Sequence, residues 1–133
     1  MEVREGMSSV VLAVGPGHTL RDAAAKMTEK GTGAALVFDE ESPAPRIITE
    51  RDVLTAVGKG KDLDSEHVSD HMSDSVISAG PDWSLERAAE EMVRLGIRHL
   101  VVVERGELVG VLSMRDIVRC WTQAGATSSI SPP

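Results

Sequence analysis

The fold of this 133-residue chain is decided by the stretch Gly110-Val111-Leu112-Ser113-Met114-Arg115-Asp116. It combines the apolar end of a strand, a hydroxyl residue, and an Arg-Asp pair that opens a helix. The stretch Ile47-Ile48-Thr49-Glu50-Arg51-Asp52 has the same pattern 64 positions earlier. Two copies of one strand-to-helix corner predict two related sites.

The sequence around the corners is duplicated as well. Residues 10–20 and 75–85 align at an offset of 65, with Gly-Pro, a hydroxyl residue and Leu coinciding. At the same offset, Ala23-Ala24 meets Ala88-Ala89. One residue drops out before the second half of the repeat, which gives the corners their offset of 64. An internal duplication therefore governs the fold.

Each repeat has the pattern strand, helix, strand, strand, helix. The first strand ends at Gly-Pro, because proline cannot continue a ladder. The first helix begins at an N-cap hydroxyl and ends at a glycine that suits the left-handed conformation. Two apolar strands and an amphipathic closing helix follow. The residues concerned are the first strands 10–14 and 76–79, the caps Thr19 and Ser84, the glycines Gly31 and Gly96, the strands 34–38 and 100–103, and the closing-helix stripes Val53, Leu54, Val57 and Ile117, Val118, Trp121.

These elements predict an α+β fold built from two tandem repeats within one compact module. We place the first repeat at residues 7–62, a linker at 63–72, the second repeat at 73–122 and a disordered tail at 123–133. The tail is rich in Ser, Thr, Gly and Pro, and it has too little apolar surface to order itself.

Composition excludes several classes of protein. A formal net charge of −7 argues against broad contact with nucleic acid or an anionic membrane. No apolar run approaches the roughly 20 residues of a membrane helix, so we expect no membrane partner. Cys120 is the only cysteine, which excludes an internal disulfide and is consistent with a cytoplasmic location.

We find no catalytic or metal-binding pattern in the sequence. His67 and His71 are four residues apart and could share a helix face, but no third His or Cys lies nearby to complete a metal site. Cys120 has no neighbouring Lys or His in the sequence to activate it. We therefore expect neither enzymatic activity nor a resident metal or cofactor.

The duplicated motifs, in this order, resemble a tandem cystathionine-beta-synthase (CBS) domain pair, also called a Bateman module. The resemblance covers about residues 7–122. It implies two repeats related by pseudo-two-fold symmetry. The matching residues are Gly31 and Ala34-Ala35-Leu36-Val37 leading to the corner at 47–52, Gly96-Ile97-Arg98-His99-Leu100-Val101-Val102 leading to the corner at 110–116, and His71-Met72-Ser73 before the second repeat.

Two departures distinguish the repeats. Arg46 stands where the family usually has the glycine found at Gly110. Gly33-Ala34 stands where the second repeat has Arg98-His99. We therefore expect two pockets that are not equivalent.

The resemblance implies nucleotide sensing. Members of the family usually bind AMP, ADP, ATP or S-adenosylmethionine in the cleft between two repeats, and they regulate another protein without performing chemistry. This implies a non-enzymatic sensor that signals to a separate, unidentified partner. Bare pairs commonly form dimers, and the closing helices with Val53, Val57, Ile117 and Trp121 would supply the interface. A homodimeric interaction scaffold with vestigial, unoccupied pockets is the alternative.

The chemistry of the two corners suits a ribose. A ribose cis-diol donates two hydrogen bonds, and a carboxylate offers two acceptors. Asp52 and Asp116 are the candidates, and Thr49 and Ser113 lie three residues earlier, where they could reach ribose or phosphate. The same spacing also forms a capping box that simply begins a helix, and one hydroxyl can serve both purposes.

Phosphate and adenine have less specific candidates. Helix N-termini favour anions, and nearby cationic side chains could add to that preference. Each arginine could instead be solvated and paired with one of the 21 acidic residues, and the apolar residues could be ordinary core. The candidates are Arg98, His99, Arg51 and Arg115 for phosphate, and Val11, Leu12, Val76 and Ile77 for the walls of an adenine slot.

Overall fold

The computed structural model describes residues 1–41, 44–74 and 76–124, so most of the tail predicted at 123–133 lies outside the described residues. The chain forms two compact units. The first-repeat unit is Val11–Val76, and the second-repeat unit combines Met1–Val10 with the chain from Ile77 onward. The elements are α1 (Val3–Gly6), β1 (Ala13–Val14), α2 (Leu20–Lys30), β2 (Ala34–Val37), β3 (Arg46–Thr49), α3 (Glu50–Gly58), a short 3-10 helix (Val68–Asp70), β4 (Ser78–Ala79), α4 (Leu85–Leu95), β5 (His99–Glu104), β6 (Glu107–Ser113) and α5 (Met114–Gln123).

The first-repeat unit is a three-stranded sheet in the order β1-β2-β3, with β1 parallel and β3 antiparallel to β2. Thr19 caps α2 in a capping box with Asp22, as predicted. The Thr19 amide lowers the pKa of Asp22, because its hydrogen bond favours the charged carboxylate. Gly31 ends α2 at φ 69°. All four residues of β2 are buried, which confirms a strand covered on both faces.

The second-repeat unit repeats this architecture. Its sheet has the order β4-β5-β6, Ser84 caps α4, and Gly96 ends α4 at φ 66°. β5 and β6 form the predicted hairpin. Arg105 (φ 53°) and Gly106 (φ 79°) are its two turn residues, both in the left-handed region that such a tight hairpin turn requires.

Both first strands are shorter than the sequence suggests. β1 is confined to Ala13–Val14, whereas we predicted residues 10–14; Val10 is 77% exposed. β4 is likewise confined to Ser78–Ala79. Beside these short pairings, the Leu12 and Ile77 carbonyls each accept one backbone hydrogen bond, and both side chains pack against the core of their unit.

A leading segment, residues 1–10, packs on the second repeat although it precedes the first. Ser8 and Val111 exchange two backbone hydrogen bonds of 2.9 and 3.0 Å. Val3 is completely buried in the core that also holds Leu85 and Ile117. The leading segment is thus part of the second-repeat unit, an arrangement that sequence reasoning missed.

Residues 66–73 occupy the equivalent place on the first repeat. The Val68 amide donates to the His18 carbonyl, just as the Val3 amide donates to the Trp83 carbonyl, each at 2.8 Å. Ser73 pairs with Ile47 as Ser8 pairs with Val111. Val68, within the predicted linker, is completely buried. Each repeat is therefore completed by the segment that precedes the other.

The closing helices differ in how much of the predicted apolar stripe they leave exposed. On α5, Ile117 and Cys120 are buried in the core of the second-repeat unit, and Val118 is 54% exposed. The prediction of Ile117 as a dimer-interface residue is therefore wrong, because its side chain is part of the core of the second-repeat unit. On α3, Leu54 (70%) and Val57 (53%) are exposed. Within the described ranges, no helix has the length and apolarity needed to cross a membrane.

Candidate ligand-binding corners

In the first-repeat unit, the candidate residues converge on one edge of the sheet. The Leu36 amide donates to the Leu12 carbonyl at 2.9 Å, which places the residues before β1 beside the start of β2. Ala34 at that start is paired with Thr49 at the end of β3. Because neighbouring strands lie about 4.8 Å apart, Leu12 and the Thr49 corner flank the start of β2.

The second-repeat unit has the same convergence. The Val101 amide donates to the Ile77 carbonyl at 3.0 Å, and His99 is paired with Ser113. Ile77, His99 and the Ser113 corner therefore meet at one edge of the sheet. The duplicated sequence places an apolar residue, a strand start and a hydroxyl-x-x-Asp corner at equivalent places in each unit.

The first corner is a capping box that leaves one carboxylate oxygen uncommitted. Asp52 Oδ2 accepts from the Thr49 amide at 2.8 Å and from Thr49 Oγ1 at 3.0 Å. Among the hydrogen bonds within the described ranges, Asp52 Oδ1 accepts none. The Glu50 amide donates to the Gly33 carbonyl at 2.9 Å, which ties the corner to the start of β2. The helix cap and an available acceptor thus coexist in one side chain.

The second corner has the same cap but a fully engaged carboxylate. Asp116 Oδ2 accepts from the Ser113 amide at 2.8 Å. Asp116 Oδ1 accepts from Arg119 Nη1 at 2.9 Å. The Asp116 side chain is 14% exposed and that of Arg119 is 49% exposed. Thr55 stands at the position in α3 that corresponds to Arg119, so the first corner lacks this arginine. We expected the two corners to differ, and the arginine that only the second corner has is a further reason for the difference.

The phosphate candidates surround the corners at different depths. Arg98 is exposed, and its carbonyl accepts from the Met114 amide at 2.9 Å, the counterpart of the bond between Glu50 and Gly33. His99 is half-buried opposite Ser113. Arg51 and Arg115 are exposed in the first turns of α3 and α5. All four residues lie in a corner or directly beside one, and this placement is compatible with an anionic ligand.

The adenine candidates are neither exposed nor fully buried. Val11, Leu12, Val76 and Ile77 all have intermediate exposure. Leu12 packs against the core of the first-repeat unit and Ile77 against that of the second. These two residues support the core and still present part of their surface at the sheet edge.

The sequence profile of the CBS domain family matches residues 2–59 and 68–122. The chain belongs to the CBS domain family. The two matches begin within the leading segment and at Val68, so each match includes the segment that packs on the other repeat.

Relatives of this CBS pair occur in bacteria and archaea. An uncharacterised protein of Methanopyrus kandleri is 37% identical over 111 residues, which are 82% of this chain and 57% of that protein. The CBS domain-containing protein YhcV of Bacillus subtilis is 33% identical over 116 residues, covering 86% of this chain and 81% of YhcV. The chain thus spans little more than half the length of the first of these relatives.

Solved CBS structures share the fold. A CBS domain protein of Pyrobaculum aerophilum, in complex with AMP, is 32% identical with a TM-score of 0.79 over 96% of this chain and 99% of that one. The CBS domain structure NE2398 is 26% identical with a TM-score of 0.82 over 92% and 98%. These similarities confirm the predicted α+β fold of two CBS repeats.

Gly110 and its counterpart Arg46 have different surroundings in the two repeats of the CBS pair. A Cβ on Gly110 would lie 2.6 Å from the Ser8 carbonyl oxygen, so the second repeat needs glycine where the leading segment passes. Arg46, its counterpart, forms an ion pair with Asp74 at 2.6 Å. The pairing of Arg119 with Asp116 could have been predicted from the sequence, because residues three positions apart in a helix are neighbours.

The remaining candidates have structural partners. His71 Nε2 lies 3.0 Å from Glu66 Oε1, and His67 Nδ1 lies 3.9 Å from Asp70 Oδ2. Across residues 1–41, 44–74 and 76–124, no three His, Cys, Asp or Glu side chains are grouped closely enough to hold a metal ion. Cys120 is buried and packs in the core of the second-repeat unit.

Proposed function

We propose that this CBS pair is a non-enzymatic regulatory module that binds an adenosine-containing ligand through its corners. The observation that carries the proposal is the Asp52 carboxylate, which is positioned by Thr49 and keeps one oxygen available at the sheet edge. The AMP complex of the Pyrobaculum aerophilum relative supports the choice of ligand class. AMP, ADP, ATP and S-adenosylmethionine all contain the same ribose.

Ribose recognition follows from the corner chemistry. The cis-diol donates to the carboxylate of Asp52, while Thr49 orients that carboxylate and keeps its own hydroxyl near the ligand. Asp116 and Ser113 offer the same groups in the second repeat. A hydrogen bond to a charged group contributes about 1.5–3 kcal/mol, so a carboxylate held in position before binding is an effective diol receptor.

Phosphate and base contacts complete the proposal. Arg98, His99, Arg51 and Arg115 supply cationic donors near the corners, and arginine suits phosphate because its donors form a fixed fork. Val11, Leu12, Val76 and Ile77 supply apolar surface for adenine. We propose that ligand binding alters the contacts of the module with a separate regulated protein in the cytoplasm.

Isothermal titration calorimetry of Asp52→Ala tests the proposal with a matched control. Asp22 forms the same capping box at the start of α2, a helix that belongs to neither corner. Asp22→Ala and Asp52→Ala each remove the N3 carboxylate of a capping box and leave the N-cap threonine in place, so each should cost about 0.3–1 kcal/mol of stability. Only Asp52→Ala should also weaken binding of the adenosine ligand, by about 10- to 100-fold.

Each of AMP, ADP, ATP, S-adenosylmethionine and NAD is titrated into the wild type and into the three variants Asp22→Ala, Asp52→Ala and Asp116→Ala. The proposal requires saturable heat with at least one compound. It is refuted if no compound binds, or if neither Asp52→Ala nor Asp116→Ala weakens binding more than Asp22→Ala.

Exposed apolar side chains on the closing helices favour an interaction scaffold as the second candidate. Leu54 and Val57 lie three residues apart on α3, and Val118 is exposed on α5. We propose that these residues, with the half-buried Val53 and Trp121, form a homodimer interface. In the scaffold, the protein would dimerise but purify with empty corners and bind no adenosine compound.

Leu54→Glu should convert the homodimer to a monomer without destabilising the subunit, because 70% of the Leu54 side chain is exposed. Light scattering at micromolar concentration measures the mass, and thermal unfolding of the monomeric variant measures subunit stability. A wild type that is already monomeric, or a Leu54→Glu variant that remains dimeric, would contradict the proposed interface.

A further inference from the structure

Arg119 connects the second corner to the leading segment. Its Nη1 donates to Asp116 Oδ1 at 2.9 Å, and its Nη2 donates to the Gly6 carbonyl at 3.3 Å. One guanidinium therefore joins the candidate ribose carboxylate to a segment more than 100 residues away in the sequence. We infer that Arg119 couples ligand occupancy of the second corner to docking of the leading segment, an inference that rests on the proposed function.

Gly6 lies between the two points that hold the leading segment in place. On one side, Val3 is buried in the core and its amide donates to the Trp83 carbonyl. On the other side, Ser8 pairs with Val111 at the edge of β6. Arg119 binds the carbonyl of Gly6 at the end of α1, between these anchors. Losing this bond removes a hydrogen bond that holds the leading segment to the closing helix, in addition to the packing of Val3 beside Ile117.

A ribose at Asp116 competes directly with Arg119. Asp116 Oδ2 accepts from the Ser113 amide and Oδ1 from Arg119, so a cis-diol that donates one bond to each oxygen meets Arg119 at Oδ1. The Arg119 side chain is 49% exposed, so solvent screens its ion pair with Asp116 and can hydrate the guanidinium when a diol displaces it. When Arg119 leaves Asp116, its guanidinium is no longer held in the orientation that lets it donate to the Gly6 carbonyl.

The first corner provides an internal comparison. Thr55 replaces Arg119, and its side chain is too short and uncharged to bridge a carboxylate and a distant carbonyl. Ligand at Asp52 therefore displaces no arginine. The coupling belongs to the second corner alone, and occupancy of the two corners has different consequences.

Hydrogen–deuterium exchange of the full chain, with and without saturating AMP, tests this coupling. The reporters are the Val3, Arg4 and Ser8 amides, which donate to the Trp83, Pro81 and Val111 carbonyls. In the wild type, AMP should accelerate their exchange by about two- to fivefold, the range that corresponds to one exposed ion pair. Asp116→Ala should abolish this response.

Arg119→Gln removes the bridge and should raise the basal exchange of the same amides to the AMP-bound level, with no further response to AMP. Arg119→Lys keeps the charge but has no planar fork to engage both oxygens, so it should behave like Arg119→Gln. The matched control is Arg94→Gln, because Arg94 pairs with Glu91 in the same three-residue spacing on α4. Arg94→Gln should leave both basal exchange and the AMP response unchanged.

The outcomes separate the two proposals. AMP binding with unchanged exchange of the reporter amides overturns the coupling and leaves the proposed function intact. Basal exchange in Arg119→Gln equal to that in Arg94→Gln also overturns the coupling, with or without AMP. Absence of binding by every adenosine compound overturns the proposed function, and the coupling with it.

Discussion

Gly110→Ala is expected to lower the free energy of unfolding by about 1–3 kcal/mol, the range for an overpacked buried site. The new Cβ would lie 2.6 Å from the Ser8 carbonyl oxygen and 3.1 Å from Met7 Sδ. Met7 can rotate away, but the Ser8 oxygen belongs to the backbone paired with Val111. The substitution therefore displaces the leading segment and weakens the burial of Val3.

Gly17→Ala is the control for this substitution, because a Cβ on Gly17 meets nothing within 4 Å. Urea unfolding should show a change within about 0.5 kcal/mol for Gly17→Ala. Hydrogen exchange of the Ser8 amide should accelerate only in Gly110→Ala. Equal unfolding free energies for the two variants would contradict the close passage of the leading segment.

Val68→Asp should be the most damaging substitution, with a loss of about 3–5 kcal/mol. The sequence suggested a linker here, yet the Val68 side chain is completely buried in the core with Leu20 and Ala23. The cluster around Val68 consists of apolar side chains among the described residues, so a carboxylate buried in it would be unpaired. The segment must then either leave the core or bury an unsatisfied polar group.

Ser69→Asp adds the same charge one residue later, where the side chain is exposed. Urea or thermal unfolding should place Ser69→Asp within about 0.5 kcal/mol of the wild type. If Val68→Asp is equally mild, residues 66–73 do not form part of the first-repeat core. The comparison thus distinguishes a packed segment from a solvated linker.

Features that depend on neighbouring residues could be predicted from the sequence. Thr19 and Ser84 cap their helices, and Gly31 and Gly96 end them, because caps are satisfied by backbone groups within a few residues. The hydroxyl-x-x-Asp corners follow for the same reason. The hydroxyl and the carboxylate accept hydrogen bonds from backbone amides within one helical turn. Two copies of the motif therefore form the same capping box at both corners.

Features that depend on distant residues could not be predicted from the sequence. The faces of α3 and α5 are an example: the apolar stripe on α5 contains both the buried Ile117 and the exposed Val118. Adjacent apolar residues in a helix point in different directions, and the sequence does not say which direction meets the core. The engagement of Asp116 by Arg119 was detectable by spacing, but its extension to Gly6 was not.

The sequence by itself determined the duplication, the strand and helix order of each CBS repeat, and the corner that begins at Gly110. Only the tertiary structure decided why Gly110 must be glycine, and which segment completes which repeat. The physical reason is that Val3 and Val68 are buried by residues far away in the chain, and a local pattern cannot record such a partner. The tertiary structure also separates the corners: no described residue donates a hydrogen bond to Asp52 Oδ1, whereas Asp116 Oδ1 accepts one from Arg119.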